Sequence, residues 1–222
     1  MSLQTLVAEI DQTLPEMEPL PDSGSLLMMV GLPGTGKSSV VNALQPLLPS
    51  VVISTDKARA IIRQSPNYTA SEMSLIYDVC YGLIERRLRR RQRVIFDGSN
   101  LLAARREHLQ QVARRCGAPL AICYVQASQE VIGQRLRARG LRGHNVMDKS
   151  DADWAVYKWM VEAQEPLAEE HLIVDTTHEP PELLAQKLCD YWLKVDANAA
   201  SDPDLQSPRW ASQLGRFYES GR

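Results

Sequence analysis

Eight residues, Gly31-Leu32-Pro33-Gly34-Thr35-Gly36-Lys37-Ser38, hold the most specific chemistry in the sequence. They fit G-x-x-x-x-G-K-[ST], a spacing that cradles phosphate groups. Gly31, Gly34 and Gly36 lack a Cβ, so the backbone can turn tightly and aim its N–H groups inward. Those donors and the start of the following helix make an anion site, formed by Gly31, Leu32, Pro33, Gly34, Thr35, Gly36, Lys37, Ser38 and Ser39. Lys37 is placed to reach the β- and γ-phosphates of a nucleotide, and the Ser38 hydroxyl to ligate Mg²⁺. ATP and Mg²⁺ are therefore the expected ligands. A guanine nucleotide is disfavoured, because no N-K-x-D sequence is present.

Three further constellations could complete a reaction. Asp56 and Arg59 stand three apart, on one face of a helix that starts just after a short strand. Two roles are open to Asp56: a base that takes the proton of an attacking hydroxyl, with Arg59 holding the substrate, or an aspartate that satisfies a helix N-terminus. Asp97 ends the apolar run Val94-Ile95-Phe96 and is expected to help hold the Mg²⁺ shell together with Ser38; an Asx-turn at a strand end is the plainer alternative. Ser99 and Asn100 follow as residues that orient the loop or touch substrate. Arg135, Arg137, Arg139 and Arg142 surround a glycine-flanked segment, and arginines on a mobile lid can stabilise charge on a transferring phosphoryl group. Arg135, Arg139 and Arg142 are the catalytic candidates there, beside Lys37, Asp56 and Arg59; His144 reads as a loop residue.

The elements that must position these groups alternate regularly. Apolar spacing predicts an amphipathic helix over 1–14, ended by Pro15, Pro19 and Pro21. The runs Leu26-Leu27-Met28-Met29-Val30, Val51-Val52-Ile53, Val94-Ile95-Phe96, 120–125 and Leu172-Ile173-Val174 read as five buried strands. Helices are expected over 39–48, 71–88, 101–116, 128–139 and 181–195, with Gly117 and Gly140 as stops. Ser150-Asp151-Ala152-Asp153 fits a capping box and should start a helix that ends before Pro166. Strands alternating with helices imply an α/β fold with a parallel sheet and helices on both faces. In such sheets ligands sit beyond the carboxyl ends of the strands, where the phosphate loop, Asp56 and Asp97 all fall. The expected division is 1–24 as N-terminal helix and linker, 25–195 as the nucleotide-binding domain with a short lid at about 135–150, and 196–222 as a tail.

G-L-P-G-T-G-K-S, S-T-D-K-A-R, V-I-F-D-G-S-N, the arginine-rich segment and S-D-A-D together resemble the P-loop kinase-like proteins known as predicted kinases. These are related to the kinase domain of 5′-polynucleotide kinase and, more distantly, to chloramphenicol phosphotransferase and zeta-toxin kinases. The likeness spans roughly 26–195. It implies a five-stranded parallel sheet of the P-loop NTPase, nucleotide-kinase-like type, with the phosphate-loop strand central. It also implies Asp56 as general base, Arg59 as a substrate contact and one arginine between 135 and 142 as the lid arginine.

At 222 residues, 44% hydrophobic and 23% charged, the chain can bury a full core. A net charge of −2 argues against a bulk electrostatic grip on nucleic acid. Cys80, Cys116, Cys123 and Cys189 lack C-x-x-C spacing and read as reduced thiols of a cytoplasmic protein. No apolar run approaches the ~18 residues of a membrane span, and no Lys or Arg precedes Lys37, so a secretory leader is not expected. The basic run at 86–93 reads as a helix C-terminus whose dipole favours cations, or else as a nucleic-acid patch. It leads into the third strand, so it should lie at the end of the sheet away from the phosphate loop. The favoured reading is an ATP-dependent kinase acting on a hydroxyl, a small-molecule acceptor being preferred over a nucleic-acid 5′ end. The alternative is an ATP-binding switch or ATPase that works through a partner.

Overall fold

The computed structural model describes residues 2–62, 69–141 and 146–201, without side chains at 139–153 and 155. The chain runs α1 (Leu3–Asp11), β1 (Ser25–Val30), α2 (Lys37–Leu44), β2 (Val51–Ser54), α3 (Thr55–Ile62) and α4 (Ala70–Arg89). It continues through β3 (Arg93–Asp97), α5 (Ala103–Arg115), β4 (Leu120–Gln126), α6 (Gln129–Leu141), α7 (Val146–Ala163), β5 (Leu172–Asp175) and α8 (Pro181–Ala200). The five strands form one sheet in the order β2-β3-β1-β4-β5, and every pairing is parallel. The phosphate-loop strand is central, as the resemblance implies.

Every residue of β1 is buried, which is why it reads as an unbroken apolar run and not an alternating one. Its side chains divide between two cores, because successive residues point to opposite faces. Leu26, Met28 and Val30 pack with Leu6, Val7 and Ile10 of α1 and with α4 and α5. Leu27 and Met29 pack with Val40, Val41 and Leu44 of α2 and with Leu184, Leu188 and the fully buried Trp192 of α8. Each such side chain contributes about 1.5–3 kcal/mol by leaving water.

The basic run that ends α4 is a clamp on the N-terminal helix. Arg87 is 1% exposed; its guanidinium donates to Asp11 Oδ1 at 2.6 Å, to Glu16 Oε2 at 2.6 Å and to the Asp11 and Pro15 carbonyls. Arg86 and Arg90 reach the other oxygen of Asp11, at 2.8 and 3.1 Å. This network lies where α4 ends and β3 begins, at the amino ends of the parallel strands. The phosphate loop follows the carboxyl end of β1, so the run is on the opposite end from it.

Several helices depart from their expected bounds: α1 ends at Asp11 and α2 at Leu44, short of the expected 14 and 48. α6 passes through Gly140 to Leu141; a glycine in a helix interior costs only about 1 kcal/mol relative to alanine, and α6 is held by packing along α7. α7 begins at Val146, so Ser150 to Asp153 lie inside it and do not cap it. α8 continues five residues past Val195 to Ala200. There the Asp196 carboxylate accepts from Ser25 Oγ at 2.5 Å and from Arg93 Nη2 at 3.0 Å, and so fixes the last turns onto the sheet. The C-terminal segment from 202 on lies outside the described residues.

Candidate active site

The carboxyl ends of β1, β2, β3 and β5 converge on one edge of the molecule. At β1 the chain turns through Gly31, whose N–H donates to Ser99 O at 3.0 Å. A Cβ at Gly31 would stand 2.4 Å from the Val125 carbonyl, and its φ is +151°, so only glycine lets this turn lie against β4. Gly36, with φ +92°, opens α2. The Lys37 ammonium donates to the Gly31 and Leu32 carbonyls, both at 2.9 Å, which draws it across the loop it serves. Thr35 Oγ1 closes the turn on Leu32 O at 2.8 Å.

Asp97, at the end of β3, accepts from the Ser38 hydroxyl at 2.7 Å. The two expected metal ligands are thus one hydrogen bond apart, and both offer oxygen. That donor set suits a hard divalent cation that takes its remaining ligands from water and phosphate. Among the described residues there is no cluster of three or more His, Cys, Asp or Glu able to hold a metal. Asn100, fully buried and with φ +49°, donates to Met29 O at 2.7 Å and ties the loop after β3 to the end of β1. It orients the loop from within, and being buried it is not a surface contact.

Ser54, the last residue of β2, is in register with Asp97. Asp56, two residues on, stands in the first turn of α3 with its side chain 88% exposed. Its Oδ1 accepts from Arg59 Nη1 at 2.9 Å. Arg59 is only 6% exposed. It also lies 3.2 Å from the buried Glu72 carboxylate in the first turn of α4 and donates to Met73 Sδ at 3.2 Å. Arg59 is therefore enclosed between two carboxylates and holds Asp56 in place. Cys80, buried beneath the pair, has its thiol pushed up to about 12 by burial, against the pull of Arg59; it remains a thiol and no nucleophile.

Arg135 of α6 is committed to the phosphate loop. Its Nη1 donates to Gly34 O at 3.2 Å and to Thr176 Oγ1 at 2.8 Å, and its Nη2 to Thr176 O at 2.9 Å. Thr176, just past β5, donates in turn to Thr35 O at 2.6 Å. These residues border a cleft of about 250 Å³ lined by Gly36, Ser39, Arg135, Thr176, Glu179 and Pro181. Ile132 and Leu136 of α6 pack with Tyr157 of α7 and Leu32 of the loop, which roots the α6–α7 pair on the phosphate site. The Arg139 side chain, Arg142 and His144 lie outside the described residues. A larger cavity, about 740 Å³, opens at the amino ends of the strands around Pro21, Arg93, Pro119 and Ala197, away from all of these groups.

Sequence reasoning missed Thr176 and Glu72. Thr176 had a usable signal: it follows a strand end, as Asp56 and Asp97 do. Glu72 did too, since Thr69-Ala70-Ser71-Glu72 is a capping box, and Thr69 Oγ1 accepts from the Glu72 N–H at 3.3 Å.

With this geometry in view, comparison with known proteins decides the family. The AAA domain family matches residues 26–167, from the start of β1 to just beyond α7. The chain belongs to that family. It is P-loop kinase-like, as the motifs implied. A curated relative, the L-seryl-tRNA(Sec) kinase of Methanococcus maripaludis, is 26% identical over 145 residues. That match covers 60% of this chain and 55% of the relative, so the chain spans about half of that protein's length. Among solved structures, a gluconokinase from Sinorhizobium meliloti superposes with a TM-score of 0.55 at 22% identity, covering 82% of this chain and 97% of the other. The Mycobacterium tuberculosis APS kinase, in complex with AMPPNP and APS, gives 0.58 at 14% identity over 77% and 98%. These likenesses establish the nucleotide-kinase fold. No helix among the described residues is long and apolar enough to cross a membrane.

Proposed function

We propose that this protein is an ATP-dependent kinase that transfers the γ-phosphoryl group to a hydroxyl. The observation that carries the reading is Asp56: an exposed carboxylate, tied down by a buried arginine, at the same strand-end edge as Lys37 and the Ser38–Asp97 pair. A switch protein that only senses nucleotide has no use for a fixed base on the acceptor side. Similarity to a seryl-tRNA kinase and the fold shared with gluconokinase and APS kinase support a phosphotransferase acting on an alcohol.

In this reading the N–H groups of Gly34 to Ser39 and the Lys37 ammonium hold the phosphates. The cleft beside Gly36, Arg135 and Thr176 takes the nucleoside, since it is the space next to the α2 end of the loop. This gives Arg135 a nucleotide-positioning role, and leaves Arg139 and Arg142 as the candidates for contact with the γ-phosphoryl group. Ser38 and Asp97 would hold Mg²⁺, which supplies charge neutralisation along the phosphates. Asp56 accepts the proton of the acceptor hydroxyl as its oxygen bonds to the γ-phosphorus; the bond to the β–γ bridging oxygen breaks and ADP leaves. The acceptor is more consistent with a small molecule than with a nucleic-acid 5′ end, because Arg86, Arg87 and Arg90 are taken up by Asp11 and Glu16, Arg89 by Glu85 and Arg93 by Asp196, all away from the phosphate loop.

Replacing Asp56 with Asn tests the assignment. Mg·ATP affinity should be unchanged while transfer falls by ~10²–10⁴, the usual worth of a general base. Parallel nucleotide titration and phosphoryl-transfer assays give the answer; an equal loss of nucleotide binding would make Asp56 a structural or metal-binding residue instead.

A further inference from the structure

Arg59, expected from the sequence to hold the substrate, is enclosed by Asp56 and Glu72. Its charge is already answered by carboxylates of this chain. A different arginine at the same end of the sheet is not so answered. Arg105, in the first turn of α5, stacks on the Tyr77 ring with its guanidinium carbon 3.8 Å from the centroid. Among the described residues no carboxylate lies within ion-pairing distance of it, whereas Arg59, Arg86, Arg87 and Arg106 each hold one.

The surroundings place Arg105 beside the proposed reaction. α5 follows directly on the loop that carries Asp97 and Asn100. The Tyr77 ring meets the edge of Phe96, the residue before Asp97, at 5.9 Å and 87°. The Tyr77 hydroxyl meets the Asn100 backbone and the Arg105 guanidinium; burial raises its pKa, with Arg105 opposing. One turn further along α4, the Cys80 thiol lies in the field of Arg59 and Asp56. α4 is thus a common wall behind Arg59 and Arg105. Stacking engages the face of a guanidinium and leaves most of its five in-plane N–H donors for an oxyanion. A half-buried guanidinium with a fixed plane and no carboxylate partner among the described residues is suited to a ligand that brings the carboxylate or phosphate.

We propose that Arg105, held flat on Tyr77, binds an oxyanion of the acceptor, so that the substrate is a hydroxyl compound that carries its own phosphate or carboxylate group. The inference rests on the kinase reading and narrows it. It also divides the work around the loop after β3, with Asp97 serving the nucleotide side and Arg105 the acceptor side.

The experiment keeps the phosphate loop filled. The full chain is saturated with Mg·AMPPNP and titrated calorimetrically with inorganic phosphate, and separately with acetate, at constant ionic strength. Arg105→Gln and Arg105→Met are compared with wild type, the methionine keeping an apolar stem over Tyr77. Arg114→Gln, an exposed position on the same helix, controls for general charge. Wild type and Arg114→Gln should bind one of the two anions saturably, both Arg105 variants at least tenfold more weakly, and nucleotide affinity should be the same in all four. The anion preferred tells phosphate from carboxylate acceptors. Equal binding by the Arg105 variants, or no anion binding by wild type, would overturn the proposal. A chain that binds the anion through Arg105 but phosphorylates no hydroxyl would overturn the kinase reading alone.

Discussion

Lys37 spans the loop that it is proposed to serve, donating to two carbonyls of that same loop. Its removal takes away an ammonium and not a core side chain, because those partners are backbone carbonyls of the loop. Lys37→Ala should therefore melt close to wild type while ATP turnover falls by about 10²–10³, the usual cost of losing one preorganised charge donor. Thermal melting and turnover measured on the same preparation check this, and undiminished turnover in a folded variant would refute the phosphate role. At this scale the sequence was most informative where chemistry demands rare residues in fixed spacing. The glycines, Lys37, Ser38, Asp56 and Asp97 all fall at strand ends, as their types required. What could not be read was side-chain commitment. Arg59 was expected to hold substrate and Arg135 to be a lid arginine, but the sequence did not show that one is enclosed by Glu72 and the other tied to Thr176. Those partners are 13 and 41 residues away, and no local pattern couples them.

Among the elements, α1 and α4 are joined by a buried charge cluster as well as by apolar packing. Asp11 is 3% exposed and faces three arginines. Removing its carboxylate leaves the buried Arg87 with only Glu16 and neutral acceptors. Loss of one partner of a buried pair costs about 3–5 kcal/mol, so Asp11→Ala should lower the urea midpoint by that equivalent. Phosphoryl transfer below the transition should be unchanged, because the cluster is at the end of the sheet remote from Asp56. An unaltered midpoint would show that the helix is held by Leu6, Val7 and Ile10 alone. The strands were legible because β-branched and apolar runs buried on both faces have few other fates. The ends of α6, α7 and α8 were not. Gly140 and Ser150 are local stop and start signals, but packing of α6 on α7 overrides them, and the Asp196 contacts that carry α8 to Ala200 come from β1 and β3.

The whole molecule is built on one parallel sheet, with its candidate reactive groups gathered at the carboxyl edge and the Asp11–Arg87 charge cluster at the other. That separation was predictable from the alternation of strands and helices, because a parallel sheet sends every strand end to the same side. The strand order was not legible from periodicity, which says nothing about neighbours; only the central place of β1 was expected, from the family resemblance. If γ-phosphoryl groups leave ATP for a hydroxyl, the direct measurement is transfer from γ-labelled ATP across nucleosides, nucleotides, sugars, sugar acids and 5′-hydroxyl oligonucleotides. Label is expected in a small acceptor bearing an anionic group, reduced by about 10²–10³ in Lys37→Ala and by ~10²–10⁴ in Asp56→Asn. Label recovered only as inorganic phosphate, at the same rate with and without every acceptor and unaffected by Asp56→Asn, would show that the protein is not a kinase of this kind.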